Sequence, residues 1–304
     1  MPLAADSVIT ASAPPSPARL RSAERPVLRI GVVQERCRAD LAEHLGALEA
    51  GIAAAVDAGA QAVFLQELTL SRYFAVEPDP EAVGADAEPL REGPTFAFAA
   101  RVARSHGIFL HASLWEDAGD GRRFNTAICV DPAGELISST RKFHIPHFPG
   151  YHEHRYFAPG DSSAIPVAVG PAQIGFPTCW DQWFPELART YALRGADILV
   201  YPTAIGSEPL HPDWDTQPSW QAAIVGQAVT NGVFVVAINR IGNEGELTFY
   251  GSSFVADPYG RVLVQAPRDA PAVLVCDIDL DARRDWLEAF PMLGDRRPEI
   301  YATD

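Results

Sequence analysis

The sequence predicts an α/β protein with two sheet-forming halves and outer helices, a sandwich rather than a closed β/α barrel. Strand-length apolar runs alternate with helix-compatible runs that close on glycine, first from Val27 to Trp115 and again from Ala172 to Asn239. Each half then carries a turn signal between two strand-like runs, Asp131-Pro132-Ala133-Gly134 and Asp257-Pro258-Tyr259-Gly260. With 304 residues, 47% of them hydrophobic, and no linker in the middle, the chain suffices for one large core and one catalytic domain, placed at residues 27–285.

Val27 to Gln34 reads as a buried strand and Ala39 to Ala58 as a helix closed by Gly59. Ala62 to Gln66 is a second strand with Glu67 at its exit, where open α/β sheets place their chemistry. The acidic, proline-bearing stretch from Glu77 to Gly93 is a loop, Thr95 to His106 a helix and Ile108 to Trp115 a strand. Asn125 to Val130 and Glu135 to Thr140 form a hairpin that delivers Arg141, Lys142 and Phe143. Ala172 to Thr178 is strand-like, and Pro185 opens a helix that runs to Arg194 before Gly195. Strand Ile198 to Tyr201, a loop through Pro218, helix Trp220 to Thr230 and strand Val233 to Asn239 repeat the alternation. Ser252 to Ala256 and Arg261 to Gln265 make the second hairpin, and Ala272 to Ile278 is one more strand. After a short helical start, residues 286–304 form a polar tail without a core of its own, expected to dock on a partner subunit.

The first 26 residues, rich in Ala, Pro and Ser, lack the apolar segment of a signal peptide and are expected to be a disordered leader. No later run is long enough to span a bilayer. Twenty-four basic against 39 acidic residues leave a charge of −15, which repels nucleic acid and anionic membrane and favours cations. Cys37, Cys129, Cys179 and Cys276 have neither zinc nor disulfide spacing, so a reducing, cytoplasmic setting is expected, with no cofactor.

Two features of composition carry chemistry. Cys179 sits in GFPTCWDQWFPE, between a strand-like run and a helix start, beside polar and amphipathic neighbours that suit a pocket wall. Of the 24 basic residues Lys142 is the only lysine, a compact point charge where arginine serves everywhere else. A free thiol is only a few per cent thiolate at neutral pH and needs a base or a nearby cation; Glu67 and Lys142 are candidates. Histidines at 144, 147, 152 and 154 leave a Cys/His pairing or a metal site open, although no further cluster has ligand-like spacing. No Gly-x-Ser-x-Gly elbow, Walker loop or dinucleotide fingerprint is present, which removes the main support for serine hydrolases, nucleotide hydrolases and dehydrogenases.

From about Leu28 to Tyr301 the chain resembles the carbon-nitrogen hydrolases of the nitrilase superfamily, and within them the N-carbamoylputrescine amidases. The resemblance rests on FLQELTLSRYF, RKFHIP and CWDQWFPE, in that order, and on YFAPGD, YPTAIGSEP and DRRPEIY. It implies Glu67 as general base, Lys142 as stabiliser of the oxyanion, Cys179 as nucleophile and Glu153 as a second glutamate orienting them. The backbone N–H of Trp180 would complete the oxyanion site, while Tyr73, Asp181 and Glu208 would contact the amine end of a small carbamoyl amine. It further implies metal-free hydrolysis, a four-layer α-β-β-α sandwich and a homo-oligomer, at least a dimer, in which the layers extend across subunits. Phe176-Pro177-Thr178, Gln66 and His147-Phe148 depart from the family pattern around these motifs. N-carbamoyl-β-alanine, an ω-amide, or amine binding without turnover are the competing expectations.

Overall fold

The computed structural model describes residues 7–83 and 86–301. The first half comprises β1 (Val8–Ala11), β2 (Leu28–Gln34), α1 (Leu41–Asp57), β3 (Ala62–Phe64), β4 (Glu88–Pro89), α2 (Pro94–His106), β5 (Phe109–Asp117), β6 (Arg123–Val130) and β7 (Leu136–Arg141). Next come β8 (Val167–Val169), β9 (Ala172–Gly175), α3 (Pro185–Leu193), β10 (Ile198–Pro202), α4 (Gln217–Asn231) and β11 (Phe234–Ile238). The chain continues through β12 (Ile241–Glu244), β13 (Leu247–Tyr250), β14 (Phe254–Ala256), β15 (Val262–Gln265), β16 (Ala272–Ile278) and α5 (Asp281–Ala289).

Local chemistry sets the helix ends. Asp40 caps α1 by accepting the Glu43 amide at 2.9 Å, and Leu48, Ile52 and Ala55 recur at helical spacing on its buried face. Pro94 starts α2, and Gly107 ends it in the left-handed region at φ 66°.

One sheet runs β1-β16-β2-β3-β5-β6-β7 with β4 on β5, the other β15-β14-β11-β10-β9-β8, and β12 pairs with β13 alone. Period-two alternation then assigns each strand face to a different core. Ala62 and Phe64 of β3 meet Ile198 and Val200 of β10 between the two sheets. Val63 faces the other way, against Leu48, Ile52 and Phe98 of α1 and α2. Leu199 and Tyr201 turn toward Leu187, Tyr191, Trp220 and Ile224 of α3 and α4. Strands buried on both faces read as continuous apolar runs, which is why they were legible in the sequence. In the first sheet β2, β3 and β5 are parallel, and β7, reached through two antiparallel pairings, runs the same way. The carboxyl ends of β3 and β7, which precede Glu67 and Lys142, therefore open at one end of the sheet.

Two expectations need correction. The leader is not disordered between residues 7 and 26: β1 pairs in parallel with β16, from Val8 opposite Val273 to Ala11 opposite Cys276. Arg19 reaches Asp279 and Asp285 at 2.7 and 2.8 Å, Arg25 reaches Asp197 at 2.7 Å, and Arg21 pairs with Glu288. The segment has no core of its own, but a free sheet edge and an acidic helix elsewhere in the chain order it. Residues 1–6 of that leader lie outside the described residues. The boundary expected at Trp286 falls inside α5, where the indole donates to Val229 O at 3.1 Å and packs on Tyr259 at 5.2 Å.

Smaller differences have local causes. The strand expected through Thr178 stops at Gly175, since Pro177 has no amide to donate and Phe176 stacks on His111 between the sheets, 5.3 Å apart and 7° from parallel. The expected Ala62 to Gln66 strand ends at Phe64. The Glu77 to Gly93 loop contains β4 and a single turn of 3₁₀ helix, Pro80–Ala82, and β8, β12 and β13 had no expectation. All four cysteines are free. Among the described residues no helix is long and apolar enough to cross a membrane.

Candidate active site

Glu67 leaves β3 fully buried. Its Oε1 accepts from Asn125 Nδ2 at 2.6 Å and from Lys142 Nζ at 2.9 Å, while the buried Oε2 has no hydrogen-bond partner among the described residues. Lys142, delivered by β7, is fully buried and also donates to Glu153 Oε2 at 2.7 Å. Burial alone would lower the lysine, but Glu153, Glu67 and Cys179 together outweigh it and hold the ammonium charged. Glu153, itself buried, takes a further bond on Oε1 from the Tyr73 hydroxyl at 2.9 Å. Burial first, opposed by Lys142 and reinforced by Glu67, pushes the Glu153 carboxyl up to about 7.

Cys179 follows β9 with φ 41°, a left-handed conformation that costs a non-glycine residue about 1–3 kcal/mol. Asp181 holds that turn. Its Oδ2 accepts the Thr178 amide at 2.9 Å, and its Oδ1 accepts the His144 amide and Nδ1 at 2.9 and 2.7 Å. Because a carboxylate only accepts, His144 carries its proton on Nδ1 in this contact; its ring stacks on Phe184 at 3.6 Å. The thiol is raised by burial, and further by Glu67, with Lys142 pulling the other way, so Cys179 rests as a thiol rather than a thiolate.

A cavity of about 400 Å³ opens onto Cys179 and Glu153. Trp180, Tyr151 and Trp214 give it aromatic walls, and Glu208 supplies a carboxylate. Burial raises Glu208, opposed by His211. Among the described residues none that lines this cavity is Lys, Arg or His.

The structure thus brings Glu67, Lys142, Glu153 and Cys179 together and sets Trp180 and Glu208 on the same cavity. Two expected substrate contacts lie elsewhere. Asp181 is not on the cavity wall; its oxygens are consumed in capping the cysteine turn, because the left-handed Cys179 folds the next residues back over Thr178. Tyr73 is not on the wall either, since its hydroxyl is spent on Glu153. His147 and His152 lie 6.2 and 6.4 Å from His154 between ring centres, but among the described residues no three His, Cys, Asp or Glu side chains gather as a metal site requires.

Sequence reading missed Asn125, Tyr151 and Arg240. Tyr151 O–H donates to Ser207 O at 3.3 Å and accepts the Gly206 amide at 3.0 Å, bracing the loop that carries Glu208. Asn125 lay inside an expected strand and Arg240 one residue past another, with nothing local to single them out.

The fold is of α/β class with several sheets, and the site gathers a cysteine, a lysine and two glutamates. The chain belongs to the carbon-nitrogen hydrolase family, whose model matches residues 29–288. It is 37% identical over 280 residues to the N-carbamoylputrescine amidase of Arabidopsis thaliana, covering 90% of this chain and 93% of that protein. The citrullinase of Francisella tularensis subsp. tularensis is 36% identical over 278 residues, covering 90% of this chain and 96% of its own. Among solved structures, a glutamate-to-glutamine mutant of the amidase from Nesterenkonia sp. AN1, carrying the product of Michael addition of acrylamide at its active-site cysteine, matches with a TM-score of 0.75. It is 28% identical and covers 90% of this chain and 98% of its own.

Proposed function

We propose that the protein hydrolyses the terminal C–N bond of an ω-carbamoyl amine by thiol catalysis, N-carbamoylputrescine being the substrate that best fits the cavity. Glu67, through its unpartnered Oε2, takes the Cys179 proton as sulfur attacks the carbamoyl carbon. A resting thiol needs such a base at the moment of attack. The oxyanion is met by Lys142 and the Trp180 N–H; ammonia leaves with the proton from Glu67, and a thiocarbamate remains on sulfur. Water activated by Glu67 then releases a carbamic acid, which decomposes to amine and carbon dioxide. No step calls on a metal.

The observation that carries the substrate reading is Glu208 on a cavity wall devoid of basic residues. A distal ammonium finds a carboxylate between aromatic walls, whereas a distal carboxylate finds repulsion and no partner. The name of the citrullinase relative keeps one competitor in view, a ureido compound bearing both an ammonium and a carboxylate. The test is kcat/KM for ammonia release from N-carbamoylputrescine, citrulline, N-carbamoyl-β-alanine and an ω-amide at matched pH and ionic strength, with Cys179→Ala and Glu208→Gln alongside. We expect the carbamoyl amine to lead, Cys179→Ala to be inactive, and Glu208→Gln to raise KM for the amine far more than it lowers kcat. Preference for N-carbamoyl-β-alanine overturns the substrate claim; turnover by Cys179→Ala overturns the thiol mechanism.

The same reading extends to assembly. The cores between helices, sheet, sheet and helices support a four-layer sandwich, and exposed Leu193, Phe290, Ile300 and Tyr301 are apolar surface that a second copy would cover, extending the layers across a dimer. Four free cysteines suit a reducing compartment such as the cytoplasm.

A further inference from the structure

Directly after Glu67 the backbone of Leu68 takes φ 48°, a left-handed conformation that a γ-branched, fully buried residue does not adopt unaided. One side of this turn is held by the first sheet: Leu68 N donates to Ser113 Oγ at 3.1 Å and Thr69 N to Ser113 O at 2.8 Å. The carbonyls of the turn are met by His44 Nε2 of α1, 2.8 Å from Thr69 O, and by one side chain from the second half of the chain. Arg240, between β11 and β12, directs Nη2 to three carbonyls of the turn, Glu67 O at 2.7 Å, Leu68 O at 3.1 Å and Ser71 O at 3.2 Å. Its Nη1 is bound by Glu244 Oε1 at 2.8 Å, and the other oxygen of that carboxylate accepts the Tyr73 amide at 2.5 Å. The guanidinium is wholly buried and lies 5.5 Å from the Phe249 ring centre. Both terminal nitrogens are paired, while Nε is buried with no hydrogen-bond partner among the described residues, so the cost of burying the charge is offset through Nη1 and Nη2 alone.

We infer that Arg240, locked by Glu244, is a positioning residue that aims the Glu67 carboxylate at Cys179. Asn125 and Lys142 fix the carboxylate end of Glu67, and Arg240 fixes the backbone from which it projects. Through the Tyr73 amide, the same Arg240–Glu244 pair seats the tyrosine whose hydroxyl holds Glu153. One guanidinium therefore sets the angle of both glutamates that flank Lys142. Lysine cannot replace it, because an ammonium on a flexible stem has no planar fork to span three carbonyls and a carboxylate together.

The inference rests on the role proposed for Glu67, so Glu67→Gln is run beside the test. With Arg240→Ala and Arg240→Lys, kcat for ammonia release should fall by about a hundredfold, the cost of misplacing a reacting group by roughly 1 Å, while KM stays within about threefold. Added methylguanidinium should restore part of kcat to Arg240→Ala and none to Glu67→Gln. A merely structural arginine would lower the melting temperature and the active fraction without selective guanidinium rescue. Folded Arg240 variants with kcat near wild type overturn the inference. If they fail to fold, Glu244→Gln decides: a fall in kcat of severalfold at unchanged KM supports the clamp, and wild-type kcat overturns it. Full activity in Glu67→Gln would instead strike the base assignment, and with it the aim attributed to Arg240.

Discussion

Lys142→Arg is the substitution that separates a placed point charge from a mere positive charge. The ammonium has three N–H donors. Two are committed, to Glu67 Oε1 at 2.9 Å and Glu153 Oε2 at 2.7 Å, which leaves the third to meet an oxyanion on a carbon attached to Cys179. A guanidinium keeps the charge but spreads its donors around a plane, so pairing both carboxylates leaves no N–H converging on the carbonyl oxygen. Losing such a donor costs about 2.7–4 kcal/mol of transition-state stabilisation, roughly a hundred- to a thousandfold in kcat. The site has no spare room, Lys142 being fully buried, so overpacking adds a stability loss of about 1–3 kcal/mol. The assay is steady-state ammonia release with the preferred carbamoyl substrate, paired with thermal unfolding by circular dichroism to show that folded enzyme is measured. A folded Lys142→Arg with kcat within threefold of wild type would refute the point-charge argument and the donor count behind it.

Two further predictions follow from burial and from the N-terminal strap. Glu153 must be ionised to anchor Lys142, and its carboxyl is pushed up to about 7 by burial, so kcat/KM should fall as pH drops through the neutral range. Because the folded value lies above the unfolded one, the stability linked to this proton is present at low pH and lost as pH rises through about 7, opposite to activity. Glu153→Gln should flatten that stability trend, and an acid limb at an ordinary carboxylate pH would exclude Glu153 as its source. Deleting residues 1–26 removes β1 from the edge of β16 together with the Arg19 and Arg25 ion pairs, and should lower Tm by on the order of 5 °C, more steeply at low salt, with kcat/KM unchanged. An unaltered Tm would mean that the strap only rests on the body.

What the sequence could and could not reveal here divides by whether a role is local. Glu67, Lys142 and Cys179 stood out because each is a reactive side chain beside a strand-like run, and one of them is the sole lysine. The alternating cores were legible for the same reason, since apolar periodicity needs no knowledge of the partner. Asp181 was read as a substrate contact because it is two residues from the cysteine, yet sequence distance carries no direction, and a φ of 41° at Cys179 turns it into the cap of its own turn. Strand β1 was missed because its only partner, β16, lies near the opposite end of the chain. Arg240 and Asn125 were missed because their roles exist only in what they bind after folding.

These misses share a physical origin. The non-glycine residues in the left-handed region among the described residues are Leu68, Cys179 and Ser252, and two of them adjoin or form the reacting groups. Each of those two turns is strained, and each is held from behind by a buried polar clamp, Arg240 for one and Asp181 for the other. Strain of this kind persists only where surrounding contacts over-determine it, so the residues that hold it must be buried and spend their bonding groups on the turn rather than on substrate. On the proposed function, discrimination between substrates then falls to the less buried loop that carries Glu208 and Trp214, braced by Tyr151 but not locked into either clamp. Substitutions on that loop should therefore change KM between carbamoyl substrates, whereas substitutions in the clamps should change kcat for all of them alike. A uniform loss of kcat from a Glu208 or Trp214 variant would contradict this division.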